Sequence, residues 1–274
     1  MGKKFKLLFM LLTVTTLLSC SRHDKENIAT QSGKIETTFN RVSTDNLEEY
    51  RINKVAFLTF DDGPSKNTEK ILDILKKENV QATFFVNGNN SEFAVNMYKR
   101  MVNEGHAIGN HTYSHTYEDV YTSKYAFIED IKKLDSLIFT ETGYRINLLR
   151  FPGGSNNTIN RRYSNSRDNS FMECLSNEVE SMGYRYFDWT VDSTDASKVK
   201  QKEGVIVKNT LNEALKQKYP IILFHDAPAK TTTVEALSGI IKKLKESGYK
   251  IKPLSYDVPV ESSFLKGING EILK

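Results

Sequence analysis

The segment Val55–Pro64 reads VAFLTFDDGP, an apolar and β-branched run that ends in two carboxylates and a Gly-Pro pair. The run predicts a buried strand, Val55–Phe60, and the Gly-Pro pair predicts a turn directly after it. Neighbouring residues of a strand point to opposite faces, but a turn that begins here can bring Asp61 and Asp62 into one cavity. Because an Asp-Asp-Gly-Pro sequence by itself is more often a solvated turn than a catalytic pair, its interpretation depends on the strands that follow.

Six further strand candidates follow along the chain, and amphipathic helix candidates lie between them. The strands are Ala82–Val86, Ala107–Gly109, Asn147–Phe151, Arg185–Thr190, Pro220–Phe224 and Tyr249–Leu254. The helices are Thr68–Glu78, Ser91–Glu104, Ser123–Thr142, Asn169–Met182, Glu203–Lys218 and Val234–Glu246. This alternation predicts an α/β fold with parallel strands, either an open sheet or a barrel, whose reactive side chains gather at the carboxyl ends of the strands.

Two histidines four residues apart, His111 and His115, follow the third predicted strand in the sequence HTYSH. On a helical turn this spacing places both imidazoles on the same side, at a separation suited to a metal ion. Such a pair is often accidental, so it needs a third ligand, and Asp62 can supply one. Two imidazoles and one carboxylate leave positions open for water and substrate, which is a catalytic type of coordination set. Zn²⁺ is the first expectation, with Co²⁺, Ni²⁺ and Mn²⁺ as alternatives.

Three later strands also end in polar groups, in the segments Arg150–Gly154 (RFPGG), Asp188–Asp195 (DWTVDSTD) and Ile222–Asp226 (ILFHD). Arg150 can pair with a carboxylate, and the glycine pair lets backbone N–H groups approach a ligand, although a salt bridge and a turn would produce the same pattern. His225, at a strand end, is a structural side chain as often as a catalytic one. Five strand ends with polar side chains in one chain are less readily explained as chance than any one of them alone.

The composition bounds the class of protein. A chain of 274 residues with 39% hydrophobic content can bury one sizeable core. No His-Glu-x-x-His sequence, glycine-rich nucleotide loop or Gly-x-Ser-x-Gly elbow is present, which excludes the commonest zinc peptidase, nucleotide-binding and serine hydrolase motifs.

The order TFDDGP, HTxxH, RxPxG, DSxD and LxH resembles the polysaccharide deacetylases with a NodB homology domain, carbohydrate esterase family 4. The resemblance covers about residues 50–255, and its first two motifs together are highly specific. It implies a distorted (β/α)7 barrel, similar to a TIM barrel, and the hydrolysis of N-acetyl groups on hexosamine polymers, as in peptidoglycan deacetylases.

Residue roles follow from the same resemblance. Asp61 matches the general base, and Arg150 matches the residue that holds this base in place. The metal ligands are matched by Asp62, His111 and His115, in agreement with the coordination set inferred from their side chains.

The same resemblance also assigns the general acid, the oxyanion donor and the pocket for the acetyl methyl group. His225 matches the general acid, and Asp195 matches the carboxylate that orients it. Gly153 occupies the position whose backbone N–H helps to stabilise the oxyanion. Leu223 and Trp189 match residues that line the pocket for the acetyl methyl group.

One position departs from the family pattern, because Ala196 stands where many relatives carry tryptophan. This departure leaves the substrate preference open. An O-acetyl esterase of the xylan type remains an alternative, since the same chemistry cleaves an ester more easily than an amide. A glycan-binding relative without catalysis is the other alternative.

The N-terminus has the layout of a secretory signal peptide, with three lysines before the apolar run Leu7–Leu18. This run is shorter than the roughly 20 residues that span a bilayer. Its end, LLSC, resembles a bacterial lipobox, which implies that Cys20 becomes a lipid-modified N-terminus; an ordinary signal peptide with a chance cysteine is the alternative. The predicted organisation is a signal at residues 1–19, a flexible polar tether at 20–50 and a deacetylase domain at 51–274.

The expected location is therefore outside the cytoplasm, on a bacterial membrane. Loss of the signal leaves 35 basic against 34 acidic side chains, so the charge indicates no nucleic-acid partner. The expected partners are a polysaccharide substrate and, through the lipid, the membrane. No protein partner can be read from the sequence, and a monomer is expected.

Overall fold

The computed structural model describes residues 49–164 and 170–259. The strands are β1 Lys54–Asp61, β2 Thr83–Val86, β3 Ala107–Asn110, β4 Leu148–Leu149, β5 Arg185–Tyr186, β6 Val191–Asp192, β7 Ile221–His225 and β8 Tyr249–Ile251. The helices are α1 Lys66–Lys77, α2 Glu92–Asn103, α3 Tyr117–Val120, α4 Lys124–Thr142, α5 Asn160–Tyr163, α6 Phe171–Ser181, α7 Glu203–Ala214 and α8 Thr231–Glu246. The short helices α3 and α5 are absent from the sequence prediction.

The strands form one curled parallel sheet in the order β5-β4-β3-β2-β1-β7-β6, and β8 pairs with the beginning of β1. The two ends of this order, β5 and β6, are consecutive in the chain and separated only by residues 187–190. A connection this short cannot join parallel neighbours, so the ring of strands stays open between them. The predicted α/β architecture, a distorted (β/α)7 barrel, is confirmed.

The predicted strand Arg185–Thr190 is wrong in its extent. Its first part pairs with β4, and Phe187 N–H still donates to Leu149 O at 2.8 Å. Its last part crosses to the other edge of the sheet, where Thr190 N–H donates to Ile221 O at 2.9 Å and β6 follows. Apolar composition cannot reveal such a change of partner, because both halves are equally suited to a strand.

Alternation along each strand divides the core in two. In β1, Ala56, Leu58 and Phe60 pack outward against the helices, whereas Val55 and Phe57 pack inside the barrel. The same division applies to β7, where Ile222 and Phe224 face the helices and Ile221 faces inward. Continuing the inward rows by two residues at a time places polar side chains at the carboxyl ends of the strands.

Helix α1 begins at a capping box directly after the first motif. The Ser65 side chain accepts a hydrogen bond from Asn67 N–H at 3.0 Å, and Ser65 N–H donates to Thr68 Oγ1 at 2.7 Å. The buried residues Ile71, Leu72 and Leu75 then attach the helix to the outer core. The chain is thereby held on both sides of Asp61 and Asp62.

The predicted domain organisation can be compared with the structure only from residue 49 onward. The predicted signal at residues 1–19, Cys20 and most of the predicted tether lie outside the described residues. Residues 49–52 are helical, and Glu49 Oε1 pairs with Lys250 Nζ at 3.0 Å. No helix within 49–164 and 170–259 has the length and apolar character to cross a membrane.

Candidate active site

Asp61 and His225 are direct neighbours across two parallel strands. Asp61 ends β1, His225 ends β7, and the two residues are paired in the register of the sheet. Both belong to inward rows, which run from Phe57 to Asp61 and from Ile221 to His225. The sheet therefore brings one carboxylate and one imidazole to the same end of the barrel.

Arg150 follows β4 and is fully buried beneath this pair. Its Nη1 donates to Asp61 Oδ1 at 2.8 Å and to Thr59 Oγ1 at 2.8 Å. Its other nitrogens donate to the carbonyl oxygens of Phe187, from Nε at 2.9 Å, and Asp188, from Nη2 at 3.0 Å. The guanidinium thus holds Asp61 and also bonds the chain at the opening between β5 and β6.

The surroundings of Asp61 have opposing effects on its ionisation. Burial raises the pKa of the Asp61 carboxyl, and the positive charge of Arg150 opposes this rise. Because Arg150 occupies Oδ1, the other oxygen, Oδ2, lies on the side of His111, 3.7 Å from its Nε2. One oxygen of the carboxylate is fixed, and the second faces the other site residues.

Asp62, His111 and His115 form a compact group of potential metal ligands. Asp62 Oδ1 lies 3.3 Å from His115 Nε2 and 3.6 Å from His111 Nε2. One ligand atom from each of the three residues can be chosen so that all lie within 4.8 Å of one another. Two imidazoles and a carboxylate are the donor set of catalytic zinc sites, so the residues fit a divalent metal ion.

His111 is held in the form that a metal ligand requires. Its Nδ1 lies 2.8 Å from the carbonyl oxygen of Arg150, which can only accept a hydrogen bond. Nδ1 therefore carries the proton, and the lone pair of Nε2 faces Asp62. Burial lowers the pKa of His111 to about 3, which keeps the imidazole neutral.

The expected helical turn at His111 and His115 is wrong, because residues 111–116 form an irregular loop. Thr112 and His115 have left-handed backbone conformations, with φ of 69° and 52°. Asp130 of α4 secures this loop by accepting from the N–H groups of Tyr113 and Ser114. The imidazoles still meet, with ring centroids 4.9 Å apart, but the loop and not helical spacing brings them together.

The carboxylate of Asp195, which follows β6, makes two hydrogen bonds to His225. Asp195 Oδ1 lies 2.7 Å from His225 Nδ1, and Oδ2 accepts from His225 N–H at 2.8 Å. Thr233 Oγ1 donates to the same Oδ2 at 2.8 Å. Burial by itself would lower the pKa of His225, but the hydrogen bond and charge of Asp195 prevail and raise it to about 9.

The loop after Arg150 carries two glycines in left-handed conformations, Gly153 with φ of 80° and Gly154 with φ of 87°. Asp188 fixes the end of this loop, because its carboxylate accepts from Ser155 N–H at 2.8 Å and from Ser155 Oγ at 2.5 Å. Within the described part of the chain, the N–H of Gly153 donates no hydrogen bond. This donor is available to a ligand.

Leu223 and Trp189 lie at the same end of the barrel. Leu223 is buried in the inward row of β7, two residues before His225. Trp189 is half-buried, with its ring centroid 5.8 Å from Arg150 Cζ, and its ring edge would lie 3.4 Å from a Cβ added to Gly154. Ala196, in contrast, is exposed.

Several supporting residues are absent from the sequence prediction. Thr59 and Asp188 lie within the motifs but received no role, and Asp130 and Thr233 lie on helices outside them. Each acts through another residue: Thr59 binds Arg150, and Thr233 binds Asp195. The sequence contains no signal for the contacts of Asp130 and Thr233, because they depend on how α4 and α8 pack against the loops.

Comparison with known proteins identifies close relatives. The family model "Polysaccharide deacetylase" matches residues 49–170. A peptidoglycan-N-acetylglucosamine deacetylase of Bacillus cereus is 33% identical over 229 residues, 82% of this chain and 77% of that protein. A peptidoglycan-N-acetylmuramic acid deacetylase of Bacillus subtilis, PdaA, is 33% identical over 206 residues, 73% of this chain and 70% of that protein.

A solved structure agrees with these matches. The catalytic domain of a peptidoglycan N-acetylglucosamine deacetylase from Eubacterium rectale is 36% identical, with a TM-score of 0.71 and coverage of 77% of this chain and 92% of that one. Sequence identity, fold and the order of the strand-end motifs therefore agree. The chain belongs to the polysaccharide deacetylase family, carbohydrate esterase family 4, and carries its NodB homology domain.

Proposed function

We propose that the protein is a metal-dependent hydrolase that removes N-acetyl groups from an N-acetylhexosamine-containing polysaccharide and releases acetate. One observation carries this proposal. A buried carboxylate, Asp61, and an imidazole with a raised pKa, His225, end adjacent strands beside a group of metal-ligating side chains. Amide hydrolysis needs a base for the water and an acid for the amine, and this arrangement supplies both.

Asp62, His111 and His115 would hold the divalent ion, for which Zn²⁺ is the first choice and Co²⁺, Ni²⁺ or Mn²⁺ are alternatives. A bound ion there would supply Lewis-acid polarisation of the acetamide carbonyl and activation of the attacking water. The proton on His111 Nδ1, held by Arg150 O, keeps Nε2 directed at the ion position.

Asp61 is the general base. Arg150 holds Oδ1, so Oδ2 accepts the proton of the attacking water. Thr59 and the two main-chain carbonyls keep the guanidinium itself in place. The base therefore needs no reorientation before the reaction, which is how a preorganised site lowers a barrier.

Gly153 N–H stabilises the negative charge that develops on the carbonyl oxygen. His225 then donates its proton to the departing nitrogen, because an unprotonated amine is a poor leaving group. Asp195 keeps His225 protonated and directed by holding Nδ1, which leaves Nε2 for the substrate. Leu223 and Trp189 line the pocket for the acetyl methyl group.

The proposed substrate is peptidoglycan or a related cell-surface glycan, and the proposed location is outside the cytoplasm on a bacterial membrane, anchored through lipid on Cys20. The support is the signal-like N-terminus with its LLSC end, together with relatives named as peptidoglycan deacetylases. Metabolic labelling with a radioactive fatty acid tests the anchor. Wild-type protein should be labelled, and Cys20→Ala should not.

An acetate-release assay on three substrates tests the function. They are a tetramer of N-acetylglucosamine, peptidoglycan freed of O-acetyl groups, and acetylxylan. Release from the first two, abolished by a chelator and restored by Zn²⁺, is the expected result. Release from acetylxylan alone would instead identify an O-acetyl esterase, and glycan binding without any release would identify a binding protein.

A further inference from the structure

Tyr117 lies at the rim of the site, between the metal-ligating loop and the glycine loop. It begins α3, two residues after His115, and its ring centroid lies 5.7 Å from that of His115. A Cβ added to Gly153 would lie 3.5 Å from the Tyr117 hydroxyl oxygen. The hydroxyl group therefore lies over the side of Gly153 where any other residue would carry a side chain.

The position of Tyr117 is determined by a stack of aromatic rings. Its ring stacks on that of Tyr121, with centroids 6.0 Å apart and an interplanar angle of 13°. Tyr121 is fully buried and donates from its hydroxyl to Pro152 O at 2.8 Å, which ties the stack to the glycine loop. Tyr121 in turn stacks on Phe127, at 5.9 Å. A ring held in this way loses little rotational freedom when it binds a ligand.

The Tyr117 hydroxyl group makes no hydrogen bond to any residue of the described ranges. The side chain is half-buried, and its oxygen is not among the buried atoms that lack a partner. The polar end therefore reaches solvent at the mouth of the site, whereas the ring is packed. Tyr121 shows the contrasting case, because its hydroxyl is buried and already engaged with Pro152.

The side of the site on which Tyr117 lies determines what it can contact. Leu223 and Trp189, proposed for the acetyl methyl group, belong to β7 and the β5–β6 connection. Tyr117 instead follows the β3 loop, where its ring lies beside His115, and its hydroxyl lies over Gly153, whereas the Trp189 ring lies against Gly154. With the methyl group in the proposed Leu223–Trp189 pocket, the Tyr117 hydroxyl would face the sugar that carries the acetamide.

We propose that the Tyr117 hydroxyl hydrogen-bonds an oxygen substituent of the hexosamine ring beside the acetamide, and so helps to select the sugar that is deacetylated. The inference rests on the proposed function and adds a residue that contacts substrate. The hydroxyl serves as donor or acceptor to a sugar hydroxyl. Its contribution is to substrate binding and not to the metal or the oxyanion.

Tyr117→Phe tests the inference, because it removes the oxygen and retains the stacked ring. We expect kcat/KM for the N-acetylglucosamine tetramer to fall about fivefold to tenfold, the loss expected for one neutral hydrogen bond. Metal content should stay the same. The inhibition constant of acetate, a product without a sugar, should also stay the same. Tyr125→Phe is the matched control, since Tyr125 is 74% exposed, and it should match wild type in all three measurements.

Two results would overturn the inference. The first is a Tyr117→Phe variant within twofold of wild type on the tetramer. The second is a weakening of acetate inhibition in parallel with the loss of kcat/KM, which would assign the hydroxyl to the acetyl side. Absence of wild-type acetate release from any N-acetylated glycan would be a separate failure, that of the proposed function, so the two outcomes are distinguishable.

Discussion

The carboxylate of Asp195 hydrogen-bonds both the imidazole and the backbone N–H of His225. Oδ1 lies 2.7 Å from His225 Nδ1, and Oδ2 accepts from the backbone N–H of the same residue at 2.8 Å. This double contact fixes the imidazole relative to the strand that carries it. Asp195 is fully buried, yet its hydrogen bonds to His225 outweigh burial and lower its pKa, so it stays ionised at neutral pH.

Asp195→Asn should therefore change the pH dependence of catalysis. The substitution keeps the shape of the side chain and removes the charge that raises the pKa of His225 to about 9. Because His225, as the proposed acid, works only when protonated, the rate should fall as pH rises through its pKa. We expect the alkaline limb of the kcat/KM profile to move to lower pH, and activity at pH 7 to fall by about 10²-fold.

Thr233→Val provides the comparison for this prediction. It removes one donor to Asp195 Oδ2 and leaves the carboxylate charge in place. Activity should decrease less than in Asp195→Asn, with the alkaline limb unchanged. An Asp195→Asn variant whose alkaline limb coincides with that of wild type would contradict the assignment of His225 as the acid.

The residues at strand ends could be predicted because their positions follow from regular geometry. Parallel strands direct their carboxyl ends to one edge, and alternation makes Asp61 and His225 point the same way. The sequence therefore indicates which side chains gather, provided that the strands are recognised.

The loops could not be predicted in this way. The spacing of His111 and His115 suggested a helical turn, whereas the chain uses left-handed conformations at Thr112 and His115, which are uncommon for residues other than glycine. The contacts of Arg150 to the carbonyls of residues 187 and 188 depend on the opening between β5 and β6. That opening arises from a change of strand partner that leaves no trace in the hydrophobic pattern.

His225→Ala and His111→Ala should lose activity for different reasons. Removal of His225, the proposed acid, should abolish turnover and leave Asp62, His111 and His115 intact, so metal content should match wild type. Removal of His111 deletes one of the three proposed ligands, and both metal and activity should be lost. Metal analysis of the purified variants, combined with acetate release, measures the contrast. Equal loss of metal in both variants would refute the division of roles.

Arg150→Lys should strongly destabilise the protein although the substitution retains the positive charge. A lysine cannot reproduce the fork that reaches Asp61, Thr59 and two carbonyl oxygens at once. Breaking a buried ion pair costs about 3–5 kcal/mol, so the free energy of unfolding should fall by several kcal/mol in urea titrations. Arg100→Lys, at partly exposed ion pairs with Asp73 and Glu104, should cost about 1 kcal/mol or less. Similar losses in the two variants would show that the buried contacts of Arg150 add nothing.

Gly153→Ala and Gly183→Ala separate backbone strain from catalysis. Both glycines have positive φ, 80° and 94°, so alanine strains either position by about 1 kcal/mol or more. At Gly183 no atom of residues 49–164 or 170–259 lies within 4 Å of the added Cβ. At Gly153 the added Cβ would lie 3.2 Å from Ile159 Cδ1 and 3.5 Å from the Tyr117 hydroxyl. Both variants should therefore unfold at lower urea concentration. Only Gly153→Ala should lose activity, by about 10-fold or more, because displacement of its N–H removes the proposed oxyanion donor. Wild-type kcat/KM in Gly153→Ala would show that this backbone donor does not take part in the reaction.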